Sequence, residues 1–254
     1  KSFVLKVAND EAKAHLLIDE VEVLAQLDHP RIIHALGPTI ELHGRTCARL
    51  EFAGSPTLGR ELRDNGRLSW DRLQTLGEDL LEIARYLAER GVHHRDIKPD
   101  NLAVRPSTSA SKRPSLTIFD FSLSRRPASD IASGTRGYLD PYLGAARGRP
   151  TYDSAAERYA VAVTLFEMAT GHQPVWGDGQ TDPKFADLAI SAEMFEGPRP
   201  AQVMAFFVKA LAADAKERFD SVEAMAATWQ ALFAQASGAT TDTYTSTSET
   251  ALAS

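Results

Sequence analysis

One segment near the middle of the chain is apolar on nearly every face when it is drawn as a helix. It extends from Ala155 to Thr170. A surface helix carries one apolar stripe, whereas a helix that is apolar all round is buried at the centre of a domain. Amphipathic helices that can surround it are predicted from Ser69 to Gly91, from Ala201 to Ala213 and from Ser221 to Ala236. We therefore expect a helical lobe with residues 155–170 at its centre.

The first fifth of the chain has a different pattern, in which β-branched and aromatic residues form short runs. Phe3 to Val7 predicts a strand, and apolar residues at helical spacing from Glu11 to Leu27 predict a helix after it. Three further runs predict short strands: Ile32 to Leu36, Ile40 to Leu42 and Cys47 to Phe52. The predicted fold class is therefore α+β, with a small sheet lobe joined to a larger helical lobe near Ala53.

Composition limits the classes of partner. The 254 residues include 28 basic and 34 acidic side chains, a net charge of −6, and this acidic balance argues against direct binding of nucleic acid through its phosphates. No run approaches the ~20 apolar residues of a membrane span, so no membrane segment is expected. The single cysteine, Cys47, cannot form an internal disulfide, which fits a reducing cytoplasm.

Three parts are predicted along the chain: residues 1–53 as the sheet lobe, 54–236 as the helical lobe and 237–254 as a tail. The last part consists mainly of serine and threonine with hardly any large apolar side chain. Such a composition cannot offset the entropy lost on ordering, so we expect a flexible tail or linker. The alternative is that its hydroxyl groups are phosphate acceptors.

The most informative run extends from His94 to Asn101 (HRDIKPDN), just after a predicted helix end. It resembles the catalytic loop of protein kinases. The resemblance implies that Asp96 meets the attacking hydroxyl, that Lys98 neutralises the transferring phosphoryl group and that Asn101 reaches a metal ion. The alternative for the run taken alone is a charged surface loop.

A lysine in the first predicted strand extends the resemblance. Lys6 lies in the apolar run FVLKV, and a lysine buried there needs a carboxylate partner because an unpaired buried charge is costly. The resemblance implies that Lys6 holds the α- and β-phosphates of ATP and that Glu20, on the following helix, is its partner. Glu22 is the competing carboxylate, although it points off the opposite side of the helix.

The run from Ile118 to Ser122 (IFDFS) resembles the metal-binding Asp-Phe-Gly motif of the same family. The resemblance implies that Asp120, together with Asn101, binds Mg²⁺ that bridges the phosphates. Ser122 stands where the family has glycine, and serine resists backbone angles that glycine tolerates. We expect altered regulation from this change, and the alternative is lost metal binding.

The run from Gly134 to Pro141 (GTRGYLDP) is similar to the substrate-positioning segment of Ser/Thr kinases. The resemblance implies that the hydroxyl of Thr135 bonds Asp96 and Lys98. It therefore favours a protein substrate with a serine or threonine acceptor.

Two positions depart from the family's pattern. Tyr142 stands where the family has a glutamate, so Arg218, the usual partner of that glutamate, needs another acceptor, such as a backbone carbonyl or a different carboxylate. Glu157 occupies the position of an aspartate that braces the catalytic loop, so a carboxylate is kept there with one more methylene.

The same resemblance implies the lining of an adenine pocket. Leu50 is expected at its back, and Leu102 and Ala103 at its floor. Residues 51–53 (Glu51, Phe52 and Ala53) are expected to form the lobe connector, whose backbone carbonyl and N–H groups meet the adenine edge. The alternative for residues 50–53 is an ordinary buried strand end.

The resemblance covers Phe3 to about Ala236 and implies a two-lobed protein kinase fold whose sheet lobe is partly missing. A glycine-rich strand pair that covers the phosphates is expected immediately before Lys1, in a longer parent protein with flanking domains. Since that cover positions the phosphates, we expect negligible transfer by this chain alone and transfer by the parent.

The expected function is that of a Ser/Thr protein kinase with ATP and Mg²⁺ as cofactors. Residues 156–164 and the run from Trp176 to Gly179 look like the kinases of bacterial phage-defence systems of the phage-growth-limitation or BREX type. Two alternatives are a pseudokinase that acts as a binding or scaffolding module, and a small-molecule phosphotransferase. The lysine two positions after Asp96 and the Gly-Thr segment argue against the last of these.

Overall fold

A computed structural model describes residues 2–107, 113–144 and 148–234 of the chain. The expected tail, residues 237–254, lies outside the described residues. The strands are β1 (Phe3–Val7), β2 (Ile40–Leu42), β3 (Arg45–Glu51), β4 (Leu102–Arg105) and β5 (Ser115–Ile118). The α-helices are α1 (Ala14–Leu24), α2 (Leu58–Asn65), α3 (Trp70–Glu89), α4 (Ser154–Thr170), α5 (Pro200–Ala210) and α6 (Val222–Phe233).

The small lobe is an antiparallel sheet in the order β1-β3-β2, with α1 packed against β3. In its register Lys6 lies opposite Ala48, and Val4 lies opposite Leu50. Directly opposed residues share a sheet face, as do residues two apart along a strand. Val4, Lys6 and Leu50 therefore share one face of the sheet.

The large lobe is built around α4, as its all-round apolar pattern predicts. Twelve of the residues of this helix are buried, and Asp153 caps its first turn by accepting a hydrogen bond from the backbone N–H of Ala156 at 2.8 Å. α3 packs closely against α6, because Gly77 leaves no room for a Cβ: such an atom would lie 2.5 Å from the ring of Trp229. Among the helices of the described residues, none is both long and apolar enough to cross a bilayer.

Most predicted elements are confirmed, with ends that differ by a few residues. The predicted first helix, for example, begins as a 3₁₀ turn over Glu11–Lys13 and continues as α1. The predicted strand from Ile32 to Leu36 is wrong, because this segment makes only isolated bridges. Ile32 forms a bridge with Ile118 of β5, and Ala35 forms one with Leu50 of β3. The segment therefore connects the two sheets without adding a strand to either.

One helix and one hairpin were not predicted. α2 is mainly polar, so it lacks the apolar periodicity that predicts a helix; its start is set by Thr57, whose hydroxyl accepts from the backbone N–H of Arg60 at 3.1 Å. β4 and β5 form a two-stranded antiparallel sheet. This hairpin lies between the two sequence runs that carry the predicted catalytic and metal-binding residues.

Candidate active site

The loop after α3 gathers the predicted catalytic side chains around one carboxylate. Asp96 accepts hydrogen bonds from Lys98 Nζ at 2.7 Å and from Thr135 Oγ1 at 2.7 Å, one at each oxygen. Asn101 Nδ2 donates to the same side chain at 2.9 Å and to the Asp96 carbonyl at 2.8 Å. Lys98 also donates to the Thr135 hydroxyl. The four residues therefore form one hydrogen-bonded group, which the sequence places within two separate segments.

A buried glutamate of α4 accepts hydrogen bonds from the backbone of this loop. Glu157 accepts the backbone N–H of His94 at 2.6 Å and that of Arg95 at 3.2 Å, and it also accepts the hydroxyl of Tyr152. Since a buried carboxylate without donors is costly, these bonds fix the position of Glu157 and of the loop together. The contact agrees with the role expected for Glu157. No sequence pattern pairs Tyr152 with Glu157, so this donor was not predicted.

His94 links the catalytic loop to the segment before Asp120. Its side chain is fully buried, its Nε2 contacts the Phe119 carbonyl at 3.1 Å, and its Nδ1 accepts the backbone N–H of Asp96 at 3.3 Å. Burial lowers the pKa of His94, although the nearby carboxylate of Glu157 opposes this. The neutral ring with its proton on Nε2 satisfies both contacts.

Lys6 makes two ion pairs that connect the lobes. Its Nζ lies 2.7 Å from Glu20 Oε2 and 2.8 Å from Asp120 Oδ1. Burial alone lowers the pKa of Lys6, but the two carboxylates outweigh it and raise the pKa. Glu20 is fully buried and also accepts the backbone N–H of Phe121 at 3.1 Å. Glu22, the competing carboxylate, instead pairs with Arg125.

Asp120 adopts a left-handed backbone conformation with φ of 69°. Such angles are uncommon outside glycine and concentrate at functional sites. Although burial raises the pKa of Asp120, Lys6 and Ser122 outweigh it and lower the pKa, so the carboxylate is charged. Among the described residues other than glycine, positive φ is confined to His43, Arg95 and Asp120. Ser122 therefore bears no backbone strain in this conformation.

A cavity of about 320 Å³ lies between the sheet and the connector. Six predicted residues line it: Lys6, Glu20, Leu50, Glu51, Ala53 and Asp120. Phe52, expected in the connector, also lines it, and four lining residues were missed: Val4, Ile33, Gly54 and Phe119. Val4 was predictable, because it lies two residues before Lys6 on the same strand face. Leu102 and Ala103, expected at the floor, are fully buried in β4 and do not line this cavity.

The connector was expected to meet the adenine edge through its backbone, and the side chain of Glu51 has partners of its own. It contacts His34 Nδ1 at 3.0 Å and Arg105 Nη2 at 3.1 Å. Arg105 also donates to the Ala53 carbonyl at 2.9 Å. The connector is therefore held by its side chains from outside the cavity, and any contact of Glu51 with an adenine edge falls to its backbone.

The side-chain oxygens of Asn101 and Asp120 are suitable ligands for a hard cation. Asn101 uses its Nδ2 for the bonds to Asp96, so its Oδ1 has no hydrogen bond to a described residue. Its carbonyl accepts the N–H of Phe119 at 3.1 Å, which holds it next to the segment that carries Asp120. Amide and carboxylate oxygens are the ligands that Mg²⁺ accepts. In the described ranges, no cluster of three His, Cys, Asp or Glu side chains has metal-binding geometry.

Tyr142, which replaces the family's glutamate, and Arg218, the usual partner of that glutamate, both have hydrogen-bond partners. The hydroxyl of Tyr142 donates to the Pro183 carbonyl at 3.1 Å. Arg218 binds the carboxylate of Asp140, two residues before Tyr142, at 2.7 and 3.1 Å. The different carboxylate that was expected for Arg218 is thus Asp140, which the sequence analysis did not name.

The small lobe holds a paired lysine at a cavity, and the large lobe holds a carboxylate that faces a lysine and a hydroxyl. A lysine–glutamate pair in one lobe and a carboxylate–lysine–hydroxyl group in the other are the arrangement found in two-lobed phosphotransferase folds. Residues 1–230 match the family described as the protein kinase domain, and the chain belongs to that family.

Relatives with known names agree with this assignment. Probable kinase PglW from Streptomyces coelicolor is 38% identical over 261 aligned positions, which cover 92% of this chain and 17% of that protein. Serine/threonine-protein kinase 36 from Pongo abelii is 28% identical over 179 positions, which cover 68% of this chain and 13% of that protein. The chain therefore spans only a small part of the length of either relative.

A solved structure shares the fold. The crystal structure of the Rad53 kinase domain and SCD2 in complex with AMPPNP superposes with a TM-score of 0.67, at 21% identity. The match covers 90% of this chain and 82% of that chain. The expected protein kinase fold, with a small sheet lobe and a larger helical lobe, is therefore confirmed.

Proposed function

We propose that this domain transfers the γ-phosphoryl group of Mg-ATP to serine or threonine hydroxyls of a protein substrate. The observation that carries the proposal is the Asp96 carboxylate, held between Lys98 Nζ and the Thr135 hydroxyl, each at 2.7 Å. A carboxylate in this position can accept a proton from an alcohol, and an adjacent ammonium can offset the charge of a phosphoryl group.

The roles of the catalytic residues follow from their contacts. Asp96 orients the acceptor hydroxyl through a hydrogen bond and takes its proton as the new P–O bond forms. The bond from the γ-phosphorus to the β,γ-bridging oxygen of ATP breaks in the same step, and ADP leaves. Lys98 stabilises the negative charge on the phosphoryl oxygens. Thr135 fixes the second carboxylate oxygen of Asp96, which leaves the acceptor a defined direction of approach. The Ser/Thr preference is supported by one relative, Serine/threonine-protein kinase 36.

For the nucleotide, we propose that Lys6, fixed by Glu20, binds the phosphates, and that Leu50, Glu51 and Ala53 surround the adenine. Leu102 and Ala103 are buried in β4 and do not line the cavity, so we assign them no direct contact with the adenine. The cavity of about 320 Å³ at these residues supports the proposal. The Rad53 kinase domain, which shares this fold, forms a complex with AMPPNP, and this also supports it.

For the metal, we propose that Asn101 and Asp120 hold Mg²⁺. The cation supplies neutralisation of phosphate charge when it is bound. Asn101 also fixes Asp96 through its Nδ2 at 2.9 Å, so one side chain serves both the acceptor side and the nucleotide side of the site.

The test is transfer of radiolabelled phosphate from ATP by the complete natural protein that carries this domain. We expect Asp96→Asn to lower transfer by about 10²–10⁴-fold, the range of general acid–base catalysis. Asp100→Asn is the matched control in the same loop, because Asp100 pairs with Arg63 of α2 at 2.8 Å and does not contact Asp96. Equal transfer by wild type and Asp96→Asn would refute the proposed function.

The alternative is a pseudokinase that acts as a binding or scaffolding module, and Ser122 and Tyr142 are the features that motivate it. Neither disturbs the catalytic contacts: Ser122 lacks positive φ, and Asp140 supplies the carboxylate for Arg218. A scaffold would keep its biological effect in the Asp96→Asn variant, whereas an enzyme would lose it.

The wider setting is also a proposal. We propose residues 1–53 and 54–236 as the two lobes and 237–254 as a flexible tail, within a longer cytoplasmic protein. The match to 17% of the length of PglW supports flanking domains. The likeness to PglW and the motifs at residues 156–164 and 176–179 support a role in bacterial phage defence.

A further inference from the structure

A second cavity, of about 720 Å³, lies beside the catalytic group and has no part in the transfer steps above. One wall is formed by the segment from Arg136 to Pro141, and the opposite wall by residues 173–184, which follow α4. Arg136 comes directly after Thr135, whose hydroxyl lies 2.7 Å from Asp96. When a protein substrate places its serine or threonine hydroxyl at Asp96, the substrate residues next to that acceptor can therefore reach this cavity.

The walls of this cavity are formed by packed groups. Tyr159 and Trp176, both at least nine-tenths buried, stack with their rings 6.5 Å apart at its base. Gly137 has φ of +96°, and a Cβ there would lie 2.5 Å from the side-chain oxygen of Gln173. The carboxamide of Gln173 thus lies directly against the backbone of the opposite wall. A preformed cavity of this kind loses little entropy on binding.

The charge of the cavity is positive at the end nearest the catalytic group. Arg136 is exposed, and within the described part of the chain its guanidinium has no hydrogen bond or ion pair. Lys184 adds a second positive charge to the lining. Asp182 is the lining carboxylate, and one of its oxygens already accepts the backbone N–H of Lys184 at 2.9 Å.

Carboxylates near the catalytic loop have internal partners, in contrast to Arg136. Asp100 receives two hydrogen bonds from Arg63, at 2.8 and 3.1 Å, and Asp140 is buried against Arg218. These groups are therefore already neutralised and offer little attraction to a basic substrate residue. The exposed cation of Arg136 remains available for an incoming anion.

We propose that this cavity binds an aspartate or glutamate that directly follows the acceptor serine or threonine in the protein substrate. Arg136 recognises that carboxylate, because a guanidinium matches carboxylate geometry with two parallel N–H donors. Gln173 supplies a neutral hydrogen-bonding group on the other wall. The inference rests on the proposed function, since it assigns the substrate class of the same site.

The test measures binding of two peptides of about twelve residues that differ at one position. Each carries a single serine, followed by glutamate in one peptide and by glutamine in the other, so that shape is matched and only charge differs. Binding to the natural protein is measured calorimetrically without ATP. We expect the glutamate peptide to bind about three- to tenfold more tightly at low salt, and the difference to shrink as salt screens the charges.

Variants separate recognition from a general effect of charge. We expect Arg136→Gln to abolish the preference for glutamate, and Arg136→Glu to favour a lysine peptide. Arg85→Gln is the matched control, because Arg85 is a half-exposed arginine of α3 that pairs with Glu89 and does not line this cavity. The melting temperature and the KM for ATP should be unchanged in Arg136→Gln, which a purely structural role would not predict.

Two results overturn the inference: equal binding of the two peptides by wild type, or a glutamate preference that persists in Arg136→Gln. Phosphate transfer to the same peptides distinguishes this failure from failure of the proposed function. Transfer without a glutamate preference would refute acidic recognition and leave the kinase assignment intact. Arg136-dependent binding without any transfer would refute the proposed function and leave the recognition of acidic peptides intact.

Discussion

Arg218 binds both oxygens of the Asp140 carboxylate, at 2.7 and 3.1 Å, and both side chains are almost completely buried. Arg149 binds the same carboxylate at 2.7 Å and continues to Asp153, the N-cap of α4. Asp140 lies in the segment that carries Thr135, whereas Arg218 precedes α6. This network therefore ties the segment beside the catalytic loop to the central helix.

Loss of the Asp140 charge should destabilise the domain severely. Asp140→Asn leaves two arginines facing a neutral group, and removal of one partner of a buried ion pair costs about 3–5 kcal/mol. The measurement is the free energy of unfolding in urea. Asp64→Asn is the matched control, since Asp64 pairs with Arg60 on the exposed surface of α2 and such pairs contribute about 0.3–0.5 kcal/mol. Equal losses in the two variants would contradict the central position that we assign to Asp140.

The partner of Lys6 can be tested with two neighbouring glutamates of one helix. Glu20→Gln removes the charge 2.7 Å from Lys6 Nζ, while the remaining oxygen can still accept the Phe121 N–H. We expect nucleotide affinity to fall about tenfold, since hydrogen bonds to charged groups contribute about 1.5–3 kcal/mol. The measurement is the Kd of a fluorescent ATP analogue.

Glu22→Gln is the control for that experiment. It removes the same charge from α1, but Glu22 pairs with Arg125 and not with Lys6. Affinity should therefore stay within about twofold of wild type, as expected for an exposed pair. A larger effect from Glu22→Gln than from Glu20→Gln would show that the wrong carboxylate had been assigned to the nucleotide site.

Changes at Glu157 should affect the rate of transfer more than nucleotide binding. Glu157→Gln replaces one acceptor oxygen with an amide NH2 group, which cannot accept the backbone N–H of His94 or Arg95 that it faces. The loop should shift, and small misplacements of catalytic groups lower rates by up to about 10²-fold. We expect kcat to fall about 10- to 100-fold with little change in the KM for ATP. Tyr152→Phe, which removes a single donor to Glu157, should have a smaller effect in the same direction.

The stability of the domain should fall in mild acid because of His94. Burial lowers the pKa of His94 in the folded state, whereas the unfolded side chain titrates near its ordinary value of about 6.5. Its contribution is therefore fully present above about pH 6.5. It declines below that pH by up to about 1.4 kcal/mol per unit, because the unfolded state binds the proton first.

Unfolding free energies measured from pH 7.5 to 5 check this sign. The slope should be smaller in His94→Phe than in wild type, even though the variant is less stable throughout. His15→Gln, at an exposed position of α1, should keep the slope of wild type. An unchanged slope in His94→Phe would mean that the ring is charged in the folded protein.

The sequence predicted those parts of the fold that depend on local pattern. The spacing of apolar residues predicted α3 and α4, and the β-branched run predicted β1, because burial of one face imposes that periodicity. The polar helix α2 and the segment from Ile32 to Leu36 were missed or misassigned. Thr57 starts α2 without an apolar stripe, and the other segment bridges two sheets, so its pairing depends on strands distant in the sequence.

The candidate site was predictable as a set of motifs but not as a network. Contacts of Asp96 with Lys98 and Thr135, and of Lys6 with Glu20, agree with what the family resemblance implied. Their catalytic roles stay predictions until the variants are measured. Two supporting partners were not accessible from the sequence: Tyr152, which donates to Glu157, and Asp140, which binds Arg218.

By itself the sequence determined which residue types were available and in what order: an apolar central helix, a lysine in an apolar strand, and acidic, basic and amide groups at short spacing. Tertiary structure alone decided that Asp140 replaces the missing glutamate as the partner of Arg218. It also decided that Arg63 neutralises Asp100, whereas Arg136 has no ion pair with any residue that the structure describes. The reason is that periodicity and motif spacing report interactions between residues close in the chain. The pairing of a charge is instead settled by which elements the folded core brings within about 3 Å of it.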